Sequence, residues 1–119
     1  MKVLLIDDGV ERILLRQLLE AAGFHVHDTA TGENGIDVAR TFRPDVIICG
    51  VAPAGMSGWE VASQMKSNPE FNGAFALMGS CIPVEDDDEL RKKGVDMFIL
   101  RSSDIQIIRA WLERVKASR

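Results

Sequence analysis

Val46-Ile47-Ile48-Cys49 is an unbroken apolar run rich in β-branched residues, and its flanks decide how it is used. Arg43-Pro44 closes whatever helix comes before it, because the residue preceding a proline is pushed out of the helical region. Gly50 to Gly58, with Gly50, Pro53, Gly55 and Gly58, is a turn-rich stretch that ends the run. Four consecutive apolar residues without alternation describe a strand covered on both faces. Val3-Leu4-Leu5-Ile6 repeats the pattern and is stopped by Asp7-Asp8-Gly9.

Between and beyond these runs the period changes to that of a helix. Val10 to Ala22 carries Ile13, Leu14, Leu18, Leu19 and Ala22 at helical spacing and stops at Gly23. Phe24 to Thr29 alternates with period two, as a half-exposed strand near a sheet edge does. A weaker helix over Gly32 to Phe42, a helix over Trp59 to Lys66, a strand over Ala74 to Met78, a charged helix over Glu85 to Lys93, a strand over Val95 to Leu100 and a helix over Ser103 to Ala117 complete the series. Strands alternating with helices predict an α/β, doubly wound parallel sheet of five strands with five helices, in one domain spanning 1–119. In open sheets of this kind the chemistry gathers outside the carboxyl ends of the strands. That selects Asp7 and Asp8, Gly50 to Gly58, Gly79 to Cys81 and Arg101 to Ser103.

Composition narrows the function classes. Fourteen Lys and Arg against eighteen Asp and Glu give a net charge of −4, without the basic stripe that nucleic-acid binding requires. No apolar run approaches the roughly 18 residues of a membrane span. The opening residues turn acidic after Ile6, unlike a signal peptide. Cys49 and Cys81 lack metal-ligand spacing and sit among apolar residues, so two small buried hydrophobes in a reduced, cytoplasmic setting are expected.

Six stretches, in order, resemble the receiver (response regulator, CheY-like) domain of bacterial two-component systems. They are Val3-Leu4-Leu5-Ile6-Asp7-Asp8, Glu20-Ala21-Ala22-Gly23-Phe24, Ala30-Thr31-Gly32-Glu33-Asn34-Gly35, Arg43-Pro44-Asp45-Val46-Ile47-Ile48, Gly55-Met56-Ser57-Gly58-Trp59-Glu60 and Gly94-Val95-Asp96-Met97-Phe98-Ile99-Leu100. The resemblance implies a flavodoxin-like sheet of order 2-1-3-4-5. It also implies a phosphoryl-accepting aspartate at the end of strand three, an acidic pair that helps to hold Mg²⁺, a hydroxyl after strand four, and a lysine after strand five. Counting from both flanks puts Gly50 at the acceptor position, where no aspartyl phosphate can form. Asp7 and Asp8 keep the acidic pair, Ser80 is expected at the hydroxyl position with Gly79 as the other register, and Arg101 replaces the lysine. Ser102 stands where the family has a proline that usually follows a cis bond, so a trans peptide is expected.

These departures predict a degenerate pseudo-receiver. Two carboxylates and one arginine leave a site of net −1 with one metal ligand fewer, so no cofactor is expected and Mg²⁺ would bind at Asp7 and Asp8 weakly or not at all. Arg101 is expected to fold over Asp7 or Asp8. Phe98 occupies the family's switch-aromatic position, three residues before Arg101. The expected role is a phosphorylation-independent protein-interaction module, not an enzyme. It would bind a histidine kinase, an output domain or another signalling protein through the face of helix four, strand five and helix five, or pair as a homodimer. No nucleic acid or membrane contact is expected. The alternatives are a small-molecule sensor, using a cleft enlarged at Gly50, and a receiver phosphorylated at a non-standard residue.

The remaining candidates have plainer readings. Asp45 opens strand three, about 16 Å from Gly50, too far to substitute for it. Ser57 reads as a turn residue. Glu85-Asp86-Asp87-Asp88-Glu89 reads as a helix N-terminus, where acids complement the dipole. His25 and His27 share one face of strand two with no third ligand, and read as solvent-facing.

Overall fold

The computed structural model describes residues 1–118. Its elements run β1 (Lys2–Ile6), α1 (Glu11–Ala21), β2 (His25–Thr29), α2 (Gly32–Phe42), β3 (Val46–Gly50), α3 (Gly58–Ser67), β4 (Ala74–Gly79), α4 (Asp87–Lys92), β5 (Met97–Leu100) and α5 (Ile105–Ala117). All neighbouring strands pair in parallel, in the order β2-β1-β3-β4-β5. The strand order reverses between β1 and β3, whose carboxyl ends carry Asp7 and Gly50.

Alternation along the strands divides the core into two layers. Val3, Leu5, Val46, Ile48 and Ala76 point to one face, where Leu19 of α1 and Ile108, Trp111 and Leu112 of α5 cover them. Leu4, Ile6, Ile47, Cys49 and Leu77 point to the other, under Ala39 of α2, Val61, Ala62 and Met65 of α3, and Leu90 of α4. Each aliphatic side chain so buried contributes about 1.5–3 kcal/mol. This is why the central strands carry no polar residue until the sheet ends.

Only part of the apolar set read on α1 faces the core. Ile13, Leu14 and Leu18 are largely exposed. Leu19 and Ala22 of that set do turn inward, joined by Leu15, a stripe with the i, i+4, i+7 spacing of a helix. Cys81, expected to be buried, is exposed in the β4–α4 loop, while Cys49 is buried. The last elements are shorter than expected. β5 begins at Met97, because Val95 and Asp96 still belong to the turn out of α4. α4 starts at Asp87, behind a capping box in which the Asp86 side chain accepts from the Glu89 amide and the Glu89 side chain accepts from the Asp86 amide. The acidic run thus serves a helix start. α5 begins at Ile105, capped by the Asp104 side chain accepting from the Gln106 amide.

Candidate functional site

The carboxyl edge of the sheet brings together Asp7, Gly50, Gly79 and Arg101, which end or directly follow β1, β3, β4 and β5. Asp7 is held by its backbone. Its amide donates to the Thr29 carbonyl at 3.0 Å, and its carbonyl accepts from Nη1 of Arg12 at 2.7 Å. Its side chain lies inside, and the residue is only 2% exposed. Asp8, one position on, is exposed.

Arg101 reaches back across the sheet edge to Asp7. Nη1 donates to Oδ2 at 3.0 Å and Nη2 to Oδ1 at 2.7 Å, a two-pronged pair that a lysine could not make. The hydrogen bonds to Asp7 raise the Arg101 pKa above its ordinary value. Burial opposes the shift, and the charges of Asp7, Glu11 and Asp8 add to it. The Arg101 amide is fixed separately, donating to the Gly79 carbonyl at 2.9 Å. No cis peptide bond occurs among the described residues, so the Arg101–Ser102 bond is trans.

Gly50 lies directly beneath this pair. A Cβ built there would stand 2.7 Å from Asp7 Oδ1 and 3.0 Å from Arg101 Nη2, both inside normal contact distance. The space a side chain would need is therefore filled by the ion pair, and the cleft that a missing side chain was expected to open is closed. Gly79, at the end of β4, is buried. A Cβ there would meet the Phe98 ring at 3.0 Å and Val51 at 2.9 Å. Ser80 lies beyond the strand end and is exposed. Phe98 is half-buried against the α2–α3–α4 layer of the core.

Mg²⁺, implied by the resemblance, can be tested against this donor set. A receiver-type Mg²⁺ site wants free carboxylate oxygens. Here both oxygens of Asp7 accept from Arg101, and Gly50 offers none. Among the described residues no group of three or more His, Cys, Asp and Glu could hold a metal. The residues do not fit the ion.

The other candidates are placed as follows. Ser57 caps α3, its hydroxyl accepting from the Glu60 amide at 3.2 Å. Asp45 precedes β3 at the opposite end of the sheet and accepts from the Lys2 amide. His25 and His27 are exposed on edge strand β2, each packed edge-on against Phe42. Cys49 and Cys81 do not form a disulfide. Burial pushes the Cys49 thiol up to about 12, with the negative charge of Asp7 adding to the effect. Its thiolate fraction near neutral pH is then negligible. Native protein treated with a thiol-labelling reagent at neutral pH is expected to lose one thiol, at Cys81. Cys49 should label only after denaturation, and fast labelling of both would contradict the buried placement.

Arg12 was not anticipated from the sequence. Besides reaching the Asp7 carbonyl, its Nε stands 2.7 Å from Asp28 Oδ2, and Arg16, one turn further on, also pairs with Asp28. Two arginines four apart on α1, facing the acidic end of β2, were the available signal.

The comparisons with known proteins agree with this architecture. The family model described as the response regulator receiver domain matches residues 3–113. The polar-differentiation response regulator DivK of Brucella anthropi is 30% identical, over 93% of this chain and 89% of its own. DivK of Brucella ovis is 29% identical with the same coverage. Among solved structures, the chemotaxis response regulator CheY4 of Vibrio cholerae superposes with a TM-score of 0.86 at 24% identity, covering 96% of this chain and 97% of that one. A two-component response regulator from Clostridium difficile superposes with a TM-score of 0.88 at 16% identity, covering 98% and 96%. At these identities the structural likenesses speak for the fold.

Proposed function

Because the chain belongs to the family of response regulator receiver domains, we propose that it is a receiver in which an internal ion pair has replaced the aspartyl-phosphate site, leaving a protein-interaction module of two-component signalling. The observation that carries this reading is the Arg101–Asp7 pair lying over Gly50, which supplies neither nucleophile nor room for one. The pair neutralises the buried carboxylate without metal, so Mg²⁺ binds weakly or not at all and no cofactor is needed. Ser80, expected at the hydroxyl position with Gly79 as the other register, lies exposed just beyond β4, and the Phe98 ring rests in the space a side chain at Gly79 would fill. With no phosphoryl group to draw a hydroxyl aside, Phe98 holds one position, and the α4–β5–α5 face is presented in one state. That face binds a signalling protein, such as a histidine kinase or an output domain, or a second copy of the chain. The domain does no catalysis of its own and works in the cytoplasm.

A second reading has one observation in its favour. A mostly aliphatic cleft of about 340 Å³ lies between α1 and α5, lined by Leu14, Leu18, Met78 and Ile108 among others, with Arg101 at its wall. A small apolar ligand seated there would touch the side chain that locks the site, and so make the domain a sensor.

The deciding experiment is intact-mass measurement after incubation with acetyl phosphate and Mg²⁺, beside a receiver that has its acceptor aspartate. The expected result is no added phosphoryl mass, and no saturable Mg²⁺ or beryllofluoride shifts at Asp8, Gly50 and Arg101 in NMR. A stable phosphoryl adduct would overturn the reading. Mapping it to Ser57 or to an aspartate would return the domain to the phosphorelay.

A further inference from the structure

The outward face of α3 carries Trp59, Ser63, Lys66 and Ser67, spaced i, i+4, i+7 and i+8, which places all four along one side of the helix. Lys92 and Lys93, at the end of α4, complete the wall of a cleft of about 410 Å³. Three ammonium groups, two hydroxyls and one indole line it, with no carboxylate, in a chain whose net charge is −4. The size lies within the range of small-molecule sites, about 300–1,000 Å³.

The cations are held there by replaceable partners. The Lys93 ammonium stands 5.3 Å over the Trp59 ring and 2.8 Å from Glu85 at the rim. The Lys66 ammonium donates to the Lys92 carbonyl at the end of α4. The Lys92 ammonium has no partner among the described residues. Helix-dipole complementarity accounts for lysines in the last turns of α3 and α4. Trp59 is half-buried, packed against the α2–α3–α4 layer of the core, and its remaining surface shares the cleft with the two hydroxyls and the lysines.

We infer that this cleft is a nucleotide site, taking a planar base on Trp59 and a phosphate among Lys66, Lys92 and Lys93. A stacked base outweighs an exposed cation–π contact, so the base displaces the Lys93 ammonium from the ring. The freed Lys93 then joins Lys92 on the phosphate, where lysine acts as a point charge. Ser63 and Ser67 supply hydrogen bonds along the α3 wall. The site involves neither Asp7 nor Arg101, so its failure would leave the proposed function standing.

The test titrates the whole chain with AMP, GMP, CMP and UMP, with adenosine and inorganic phosphate as the two halves of the ligand. Trp59 fluorescence is one readout, Trp111 being nearly buried at 7% exposure, and amide chemical shifts are the other. At least one nucleotide is expected to quench Trp59 saturably, with a Kd on the order of 0.1 mM. Adenosine and inorganic phosphate should each bind at least about tenfold more weakly. Lys92→Ala with Lys93→Ala should weaken the nucleotide about tenfold, and Trp59→Leu, followed by chemical shifts, should bring nucleotide and inorganic phosphate to equal affinity. No saturable response to any of the four nucleotides would overturn the inference. So would inorganic phosphate binding as tightly as the nucleotides in the unsubstituted chain, which would leave only an anion patch.

Discussion

Gly50→Asp, which returns a carboxylate to the acceptor position, is expected to weaken the fold. The new Cβ would stand 2.7 Å from Asp7 Oδ1 and 3.0 Å from Arg101 Nη2, so the ion pair must shift to admit it. The carboxylate beyond that Cβ would then compete with Asp7 for the one guanidinium. The site goes from two carboxylates and one arginine to three and one. Two of the three lie where water is scarce, as Asp7 is 2% exposed and Gly50 is buried. Under-compensated buried charge is among the few mechanisms with large effects. The expected cost without divalent cation is about 2–4 kcal/mol, or on the order of 10 °C in Tm for a domain of this size. Mg²⁺ should then matter. A third carboxylate supplies the missing ligand, and a cation that binds only the folded state stabilises it by about 2.7 kcal/mol at a hundredfold excess over its Kd. Thermal unfolding followed by circular dichroism, with and without Mg²⁺, reads both effects. The unsubstituted chain should ignore Mg²⁺, and Gly50→Asp should recover much of its loss. Gly50→Ala, which brings the Cβ without the charge, should fall between them. A Gly50→Asp variant as stable as its parent in EDTA would show that the pair does not occupy that space.

The parts of this molecule that were legible in the sequence share one property: a local pattern was enough to fix them. Val46-Ile47-Ile48-Cys49 and Val3-Leu4-Leu5-Ile6 have apolar residues at every position, which only a strand covered on both faces uses, and both lie at the centre of the sheet. Helix α2 keeps the bounds read for it, Gly32 to Phe42, because Arg43-Pro44 forces the stop; Arg43 takes a left-handed conformation there, with φ of 52°. Helix α1 was not legible in the same way. Apolar residues at positions 13, 14, 15, 18 and 19 cover an arc wider than the sheet can bury, so spacing alone admits two phases. Contact with α5 and the sheet selects Leu15 and Leu19. The β4 end was ambiguous for a related reason. Gly79-Ser80-Cys81 has no marker residue; in the structure Gly79 ends β4 buried beside Phe98 and Ser80 follows it exposed. At the site, Asp7 and Asp8 are equivalent as sequence. Their difference comes from the alternation of β1, which carries Asp7 inward within reach of Arg101 and leaves Asp8 in solvent.

That asymmetry makes Arg101 the second position where a large effect is expected. Arg101→Met keeps much of the side-chain volume and removes the charge, leaving the Asp7 carboxylate inside without a counter-ion. Breaking a fully buried pair costs about 3–5 kcal/mol. The Arg101 side chain is 32% exposed against 3% for Asp7, so water reaches one side of the pair and the expected cost is nearer 2–3 kcal/mol. Arg101→Lys keeps the charge but not the fork of two parallel bonds, and should cost about 1 kcal/mol. Removing both charges tests the origin of the effect. Asp7→Asn combined with Arg101→Met leaves no ion behind, and should lie well above the single Arg101→Met variant in stability, with a coupling energy of about 1–3 kcal/mol. Urea unfolding at neutral pH measures the parent, Arg101→Met, Arg101→Lys, the Asp7→Asn single and the double variant, and equal m-values would confirm that the differences lie in stability. If Arg101→Met were within about 0.5 kcal/mol of the parent, or if the double variant merely summed the two singles, Arg101 would be a solvated surface residue. The site would then be open to a cation or a ligand, and the case for a permanently closed receiver would fall with it.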